Sequence, residues 1–160
     1  MVRKNVKTIS RSKAHWSHEN VGVMFTTPSE DTVNGLYQSG TIIVPAIQSQ
    51  GARTISGLRI SFSLHGEETN PIYYALVYVP EGETAKSLFQ KTGQVNSGSV
   101  YEPNQYVMSC GVVDPDAGNH VSTSRISRRL HSGDFISLIV GSAGPLQMVS
   151  GIVSYFIKYN

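Results

Sequence analysis

The chain has 160 residues, with 13 Lys/Arg against 11 Asp/Glu, a net charge of +2, and a single cysteine. Its length is that of one domain, large enough to close a hydrophobic core without disulfides or metal. One cysteine excludes an internal disulfide, and the chain has no run of about 18 apolar residues that could form a membrane-spanning helix. We expect no secretory signal, because no apolar block follows the basic start. We therefore expect an intracellular or redox-neutral fold with Cys110 as a small buried hydrophobe.

The charge is unevenly divided along the chain. Residues 1–18 hold five Lys/Arg and no acid (+5), and the rest holds eight Lys/Arg against eleven acids (−3). We predict a flexible basic arm over residues 1–18 that pairs with a polyanion, on a folded domain over 19–160; a disordered leader is the alternative. The basic residues of the arm are Arg3, Lys4, Lys7, Arg11 and Lys13.

The composition of the body predicts an all-β protein. Val and Ile number 29 while Leu numbers 8 and Ala 7, and turn residues recur between short apolar runs, as in a sandwich or barrel. We predict eight strands: Asn20–Thr26, Gly40–Ile47, Arg53–Leu64, Ile72–Val79, Gln105–Val113, Val121–Leu130, Phe135–Ser142 and Gln147–Tyr159.

Two of these strands differ in pattern. Apolar and polar residues alternate along the second half of Arg53–Leu64, which predicts one core face and one outward face. Ile72–Val79 is apolar on both faces, so it should lie within a sheet and be covered on both sides. A short helix is predicted at Thr84–Lys91, where Thr84 can cap.

The tightest turn signal is His131-Ser-Gly-Asp134, where a Ser-Gly pair can supply positive φ and Asp134 can bond nearby backbone. His131, Ser132 and Asp134 are too close in sequence to align as a catalytic triad, whose members come from separate segments. "DPDAGNH" (114–120) departs from a calcium loop and is predicted to be a turn. The histidines show no metal-binding spacing. We predict no catalytic residue, no metal and no cofactor.

Two features indicate assembly and anion binding. Charged residues make up 15% of the chain, against about 25% in typical soluble domains, as expected where much of the exterior meets other subunits. Arg125, Arg128 and Arg129 fall in one predicted strand, and alternation puts Arg125 and Arg129 on the face opposite Ile126 and Leu130, with Arg128 on the other face. This outward pair could bind phosphates or carboxylates, or could protect a solvated edge.

The arm, the eight-strand pattern and three segments together carry a family resemblance: "YVPEGETAKSLF", "SVYEPNQYVMSCGVV" and "SRISRRLHSGDFISLIV". The chain resembles the jelly-roll capsid proteins of small circular single-stranded DNA viruses, the circovirus and nanovirus-like group, over most of residues 56–160. It departs from the circovirus pattern because its arm has two arginines and three lysines in place of a long arginine-rich tract.

The resemblance implies an eight-stranded antiparallel jelly-roll sandwich that self-associates into a T=1 icosahedral shell of about 60 copies. The basic arms would then bind the genome, implied to be single-stranded DNA, without sequence specificity, with Arg125, Arg128 and Arg129 as further cations. The implied location is the virion, with the host nucleus as a further location during assembly. The alternative is a non-viral trimeric β-sandwich binding module of the tumour-necrosis-factor or C1q kind, which explains the strands but not the arm.

Overall fold

The computed structural model describes residues 15–26, 36–48, 51–64, 70–85, 89–92, 97–100 and 106–159. It contains eleven strands and one short 3-10 helix, Pro115–Ala117. The strands are β1 (Trp16–Phe25), β2 (Tyr37–Val44), β3 (Arg53–Leu64), β4 (Ile72–Val79), β5 (Phe89–Thr92), β6 (Ser97–Val100), β7 (Tyr106–Val113), β8 (Asn119–Ser124), β9 (Arg128–Leu130), β10 (Phe135–Ser142) and β11 (Val149–Tyr159).

The strands form two antiparallel sheets that pack as a sandwich. The five-stranded sheet has the order β1-β11-β3-β8, with β9 also paired to β3, and the four-stranded sheet has the order β2-β10-β4-β7. β5 and β6 make a separate pair. The first and last strands therefore pair with each other. Further in along the chain, β2 pairs with β10, β3 with β8 and β9, and β4 with β7. This wrapping of one long antiparallel ribbon into two sheets is the jelly roll, as predicted.

The core lies between the sheets and follows strand alternation. In β3, Ile60, Phe62 and Leu64 face the core while Arg59 is exposed. Every residue of β4 is buried, which confirms its predicted place inside a sheet. Its inner face enters the main core, and its outer face joins a second apolar cluster with Leu36 and Ile139.

Two of the predicted elements need correction. The strand predicted over Val121–Leu130 is two strands, because it is interrupted at residues 125–127, where the Ser124 hydroxyl accepts a hydrogen bond from Ile126 N. No helix forms at the described part of Thr84–Lys91: Phe89–Thr92 is a strand paired with Ser97–Val100, and residues 86–88 lie outside the described residues.

The prediction for Cys110 is also wrong, since its side chain is exposed. β7 is an edge strand, and a bulge opposite Leu76 and Val77 turns Met108 into the core. The bulge shifts alternation so that Cys110 pairs with Ala75, which faces the outer cluster. At a sheet edge this outer position is open to solvent.

The predicted turns are present. Asp114 caps the 3-10 helix by accepting a hydrogen bond from Asp116 N, and Gly133 takes a φ of 78° between His131 and Asp134. This second turn is not a hairpin, because β9 belongs to one sheet and β10 to the other. Within the described residues no helix is long and apolar enough to cross a membrane.

Candidate nucleic-acid interface

The basic arm precedes β1. Its five cations, Arg3, Lys4, Lys7, Arg11 and Lys13, lie outside the described residues. The described chain begins at His15, and β1 begins at Trp16, earlier than the predicted Asn20. The arm therefore joins the body at the edge of the five-stranded sheet.

Side chains from four strands form a cationic face on the outward side of this sheet. Strand register places them in transverse rows: Trp16 pairs with Lys158, Lys158 with Thr54, and Thr54 with Arg129. A second row pairs His18 with Phe156, and a third pairs Asn20 with Ser154 and Ser154 with Arg59. We define the cationic face by its charged, aromatic and aliphatic members: Trp16, His18, Arg59, Arg129, Ile152, Phe156 and Lys158.

The cations of this face have few acids near them, of which Glu81, outside the sheet, lines a surface depression together with Arg129. Within the described part of the chain, no salt bridge joins Arg59, Arg129 or Lys158 to a carboxylate. The strands of the sheet contain one acid, Glu19. Glu19 pairs with buried Tyr155 and by alternation lies on the opposite side of β1 from His18. The face is thus suited to an anionic partner.

A bulge shapes the middle of the cationic face. Gly57 and Leu58 of β3 oppose Tyr155 of β11 alone, and Gly57 has a φ of 63°, the geometry of a bulge that needs glycine in the left-handed region. A Cβ on Gly57 would lie 3.1 Å from Cδ2 of Phe156. The bulge therefore lets the Phe156 ring lie close over the backbone of β3.

The Phe156 ring borders an open groove of about 430 Å³. The ring of His18 lies 4.9 Å from it, centroid to centroid, with the planes at 44°. Arg59, Gly57 and Ser61 line the β3 side of the groove. Lys158 Nζ lies 5.8 Å from the centroid of the Trp16 ring, one row away. Aromatic rings and cations are thus interleaved on one surface.

The three predicted arginines have different surroundings. Arg129 is exposed on the cationic face, and Arg125 is exposed in the segment between β8 and β9. Arg128 is half-buried on the other side of β9, as alternation predicted, with its guanidinium carbon 4.1 Å from the Tyr78 ring centroid and 5.1 Å from that of Tyr106. The structure therefore brings Arg129 together with Arg59 and Lys158, and separates Arg128 from them.

Next to Arg128 a buried cluster joins the two sheets. Asp134 accepts hydrogen bonds from the Tyr78 hydroxyl at 2.8 Å, from His131 N at 2.7 Å and from Glu81 N at 3.2 Å. Arg53 donates to the carbonyls of Asp134 and Pro45. We call Arg53, Tyr78 and Asp134 the corner cluster, because it holds the connection from β9 to β10.

The corner cluster perturbs the titration of its members. Burial would raise the pKa of Asp134, but the hydrogen bonds from His131, Tyr78 and Glu81 outweigh it and lower that pKa. Burial and the bond to Asp134 raise the pKa of Tyr78. Burial lowers the pKa of Arg53. The turn that superficially resembled a catalytic set thus uses its carboxylate to bind backbone and tyrosine.

Sequence reasoning missed Arg59, Phe156 and Lys158 as members of the face. Alternation along β3 and β11 was the available signal, because it puts Arg59, Ile152 and Lys158 opposite the core positions. Their meeting across strands depended on register, which the sequence did not supply. Among the described residues no cluster of metal-ligating side chains occurs.

Comparisons with solved structures give remote likenesses, two of them to chains from viruses. No family model and no curated protein matches the chain. A solved chain from the cowpea mosaic virus top component, described as naturally occurring empty particles, shares 9% identity over 92% of this chain and 88% of that one, with a TM-score of 0.41. A chain from infectious bursal disease virus Gx strain shares 9% identity, with a TM-score of 0.25, over 99% of this chain and 46% of its own length. This chain therefore spans about half the length of that second chain.

Proposed function

We propose that the chain is a capsid subunit that associates with copies of itself into a closed shell and packages nucleic acid. The role is structural and includes no catalysis. The observation that carries the proposal is the cationic face, on the sheet whose edge strand continues from the basic arm. The arm and the cationic face together offer a set of cations to a polyanion, and no carboxylate of the sheet neutralises these cations.

The charge count supports a cargo of nucleic acid. In a shell of about 60 subunits, arms of five cations contribute about 300 positive charges, and Arg59, Arg129 and Lys158 contribute about 180 more. Binding of this kind is to phosphates and needs no base sequence. The finer assignments, a T=1 shell, a single-stranded DNA genome and a nuclear stage, are part of the proposal and rest on the family resemblance.

Exposed apolar side chains on the body support self-association. Ile42 of β2 is 54% exposed, and Tyr106 and Val112 of the edge strand β7 are 55% and 53% exposed. Exposed apolar surface together with few charges is typical of surfaces that meet other subunits. These three residues lie on the four-stranded sheet, away from the cationic face. Met24 and Ile152 expose apolar surface on the other sheet as well, so contact between copies can use the four-stranded sheet without being confined to it.

The first test is the mass of the purified protein by light scattering during size-exclusion chromatography, at low and high salt. We expect a particle with a mass of about sixty times the 17.4 kDa mass of the chain. The particle should carry nucleic acid, detected by its ultraviolet absorbance. Deleting residues 1–14 should remove five cations and reduce the salt dependence of nucleic-acid binding by about 3 to 4 in the log–log slope.

A stable trimer without nucleic acid at every salt concentration would contradict the capsid proposal and favour the trimeric binding module. A shell that forms but encloses no nucleic acid would contradict the packaging half alone. The matched control for the deletion is the full chain with the five arm cations replaced by glutamine, which keeps the arm length and removes only its charge.

A further inference from the structure

We infer that the groove beside Phe156 is a base-stacking subsite for single-stranded nucleic acid. The inference rests on the proposed function and deepens it, because it names the form of nucleic acid that the body of the subunit contacts. Three observations carry it: an outward aromatic ring held by a glycine bulge, a second ring in tilted contact with it, and an adjacent cation with no carboxylate partner among the described residues.

Phe156 is not needed for the core. Its neighbours Tyr155 and Ile157 fill the core side of β11, and Phe156 remains 46% exposed. The bulge at Gly57 nevertheless accommodates the ring, at a backbone conformation that L side chains rarely adopt. Glycine within a strand often marks a close approach by a ligand or another group. The geometry thus maintains an exposed aromatic ring that burial alone does not require.

The groove combines the groups that a single nucleotide needs. Base faces stack on aromatic rings whatever the base, and Phe156 and His18 border the groove from neighbouring strands. Arg59 lines the groove from β3 and can bind the phosphate through its fork of donors. Asn20 and Ser61 provide uncharged polar groups to the base edge. The volume of about 430 Å³ is within the range of small-ligand clefts, about 300–1,000 Å³.

The partner is single-stranded because stacking requires free base faces. In a duplex those faces are covered by neighbouring base pairs, and only phosphates and base edges are accessible. A second copy of the same face is a poorer occupant, since it would place Arg59, Arg129 and Lys158 against like charges with no acid of the face to pair with. Charge complementarity therefore favours a polyanion with exposed bases.

The experiment compares two polyanions that differ only in having bases. A fluorescein-labelled oligothymidylate and an abasic oligonucleotide of equal length are titrated with full-length protein, below the concentration of assembly, and binding is followed by anisotropy. The variants are Phe156→Leu, Phe156→Tyr, which restores the ring, and Met24→Ala, a control at an exposed residue on the outward side of the same sheet that does not line the groove.

We expect Phe156→Leu to weaken oligothymidylate binding about tenfold and to leave binding of the abasic strand unchanged. Phe156→Tyr and Met24→Ala should bind like the wild type. Quenching of the single tryptophan, Trp16, by the oligothymidylate should accompany binding, because it lies one row from Phe156 on the same face.

Equal affinity of Phe156→Leu and wild type for the oligothymidylate would overturn the stacking subsite while leaving phosphate binding intact. A change of oligomeric mass in Phe156→Leu with unchanged oligothymidylate affinity would also overturn it, and would assign the ring to contact between copies. If the wild type bound neither strand, the proposed packaging function itself would fail, so the two failures are distinguishable.

Discussion

The two sheets of the sandwich differ in the number of charged residues that their strands contain. The four strands of one sheet, β2, β4, β7 and β10, contain no Lys, Arg, Asp or Glu. The strands of the other contain Arg53, Arg59, Arg128, Arg129 and Lys158 against the single acid Glu19. A sandwich needs only one apolar face on each sheet, so the core alone does not explain this difference.

The difference separates two kinds of surface on one domain. In the four-stranded sheet both faces of the central strand β4 are buried, and the edge strand β7 exposes apolar side chains. In the five-stranded sheet the outward face keeps aromatic rings and cations in solvent. A subunit with one neutral side and one cationic side can contact its copies and a polyanion without competition between them, as the capsid proposal requires.

The largest effect on stability is expected from Leu76→Ala in the centre of β4. Leu76 is fully buried, so truncation should lower the free energy of unfolding by about 4 kcal/mol. Ile152→Ala, at a residue 55% exposed on the other sheet, should change it by less than about 0.5 kcal/mol. Urea unfolding measures both; equal losses would show that the outward face is covered in the native protein.

Asp134→Ala should follow in size, because it removes the acceptor that joins the sheets. Three donors, the Tyr78 hydroxyl and the amides of His131 and Glu81, would lose their partner, at about 3 kcal/mol in total. The exposed Asp116→Ala is the control and should be near neutral. A loss below about 1 kcal/mol in urea unfolding would mean that water replaces the carboxylate.

Gly57→Ala should cost about 1 to 2 kcal/mol, because alanine is strained at positive φ and its Cβ would press on Phe156. Gly22→Ala in β1 is the matched control, since no atom lies within 4 Å of the place that its Cβ would take. Thermal unfolding compares the two variants. If both behaved alike, the bulge would not be holding the Phe156 ring.

Arg128→Gln and Arg129→Gln should have different effects, because the two side chains lie on opposite sides of β9. Arg128→Gln loses stacking on Tyr78 and should lower stability by about 1 kcal/mol, with little change in binding. Arg129→Gln should leave stability unchanged and reduce the salt slope of oligonucleotide binding by about 0.7. Chemical unfolding and a salt titration measure each property, and reversed effects would contradict the assignment of Arg129 to the cationic face.

The smallest effect is expected from pH. The pKa of Asp134 is lower in the folded protein than in the unfolded chain, so its stabilisation is complete above about pH 4 and is lost as the pH falls through the folded pKa. The free energy of unfolding of wild type should therefore fall more steeply below pH 4 than that of Asp134→Asn. If the free energies of unfolding of the two proteins fell in parallel below pH 4, the pKa of Asp134 would not be lowered by the corner cluster.

Much of this architecture could be predicted from the sequence, for local reasons. β3, β4 and β10 have the predicted bounds, because alternation or continuous apolar runs ended at clear turn residues. The helix at Thr84–Lys91 failed because a short apolar period fits both a helix and a strand. The prediction of a buried Cys110 was wrong because a bulge shifted the alternation, and a bulge leaves no reliable mark in the sequence.

The sequence by itself determined the fold class, the excess of basic residues over 1–18 and the opposite orientations of Arg128 and Arg129, since side-chain direction along a strand follows from its period of two. Only the tertiary structure decided which residues meet. Trp16, Thr54, Arg129 and Lys158 come from strands far apart in the chain, and the register of β11 between β1 and β3 aligns them in one row. Register depends on the packing of the whole core and on the Gly57 bulge, so the cationic face is a property of the assembled sheet and not of any one segment.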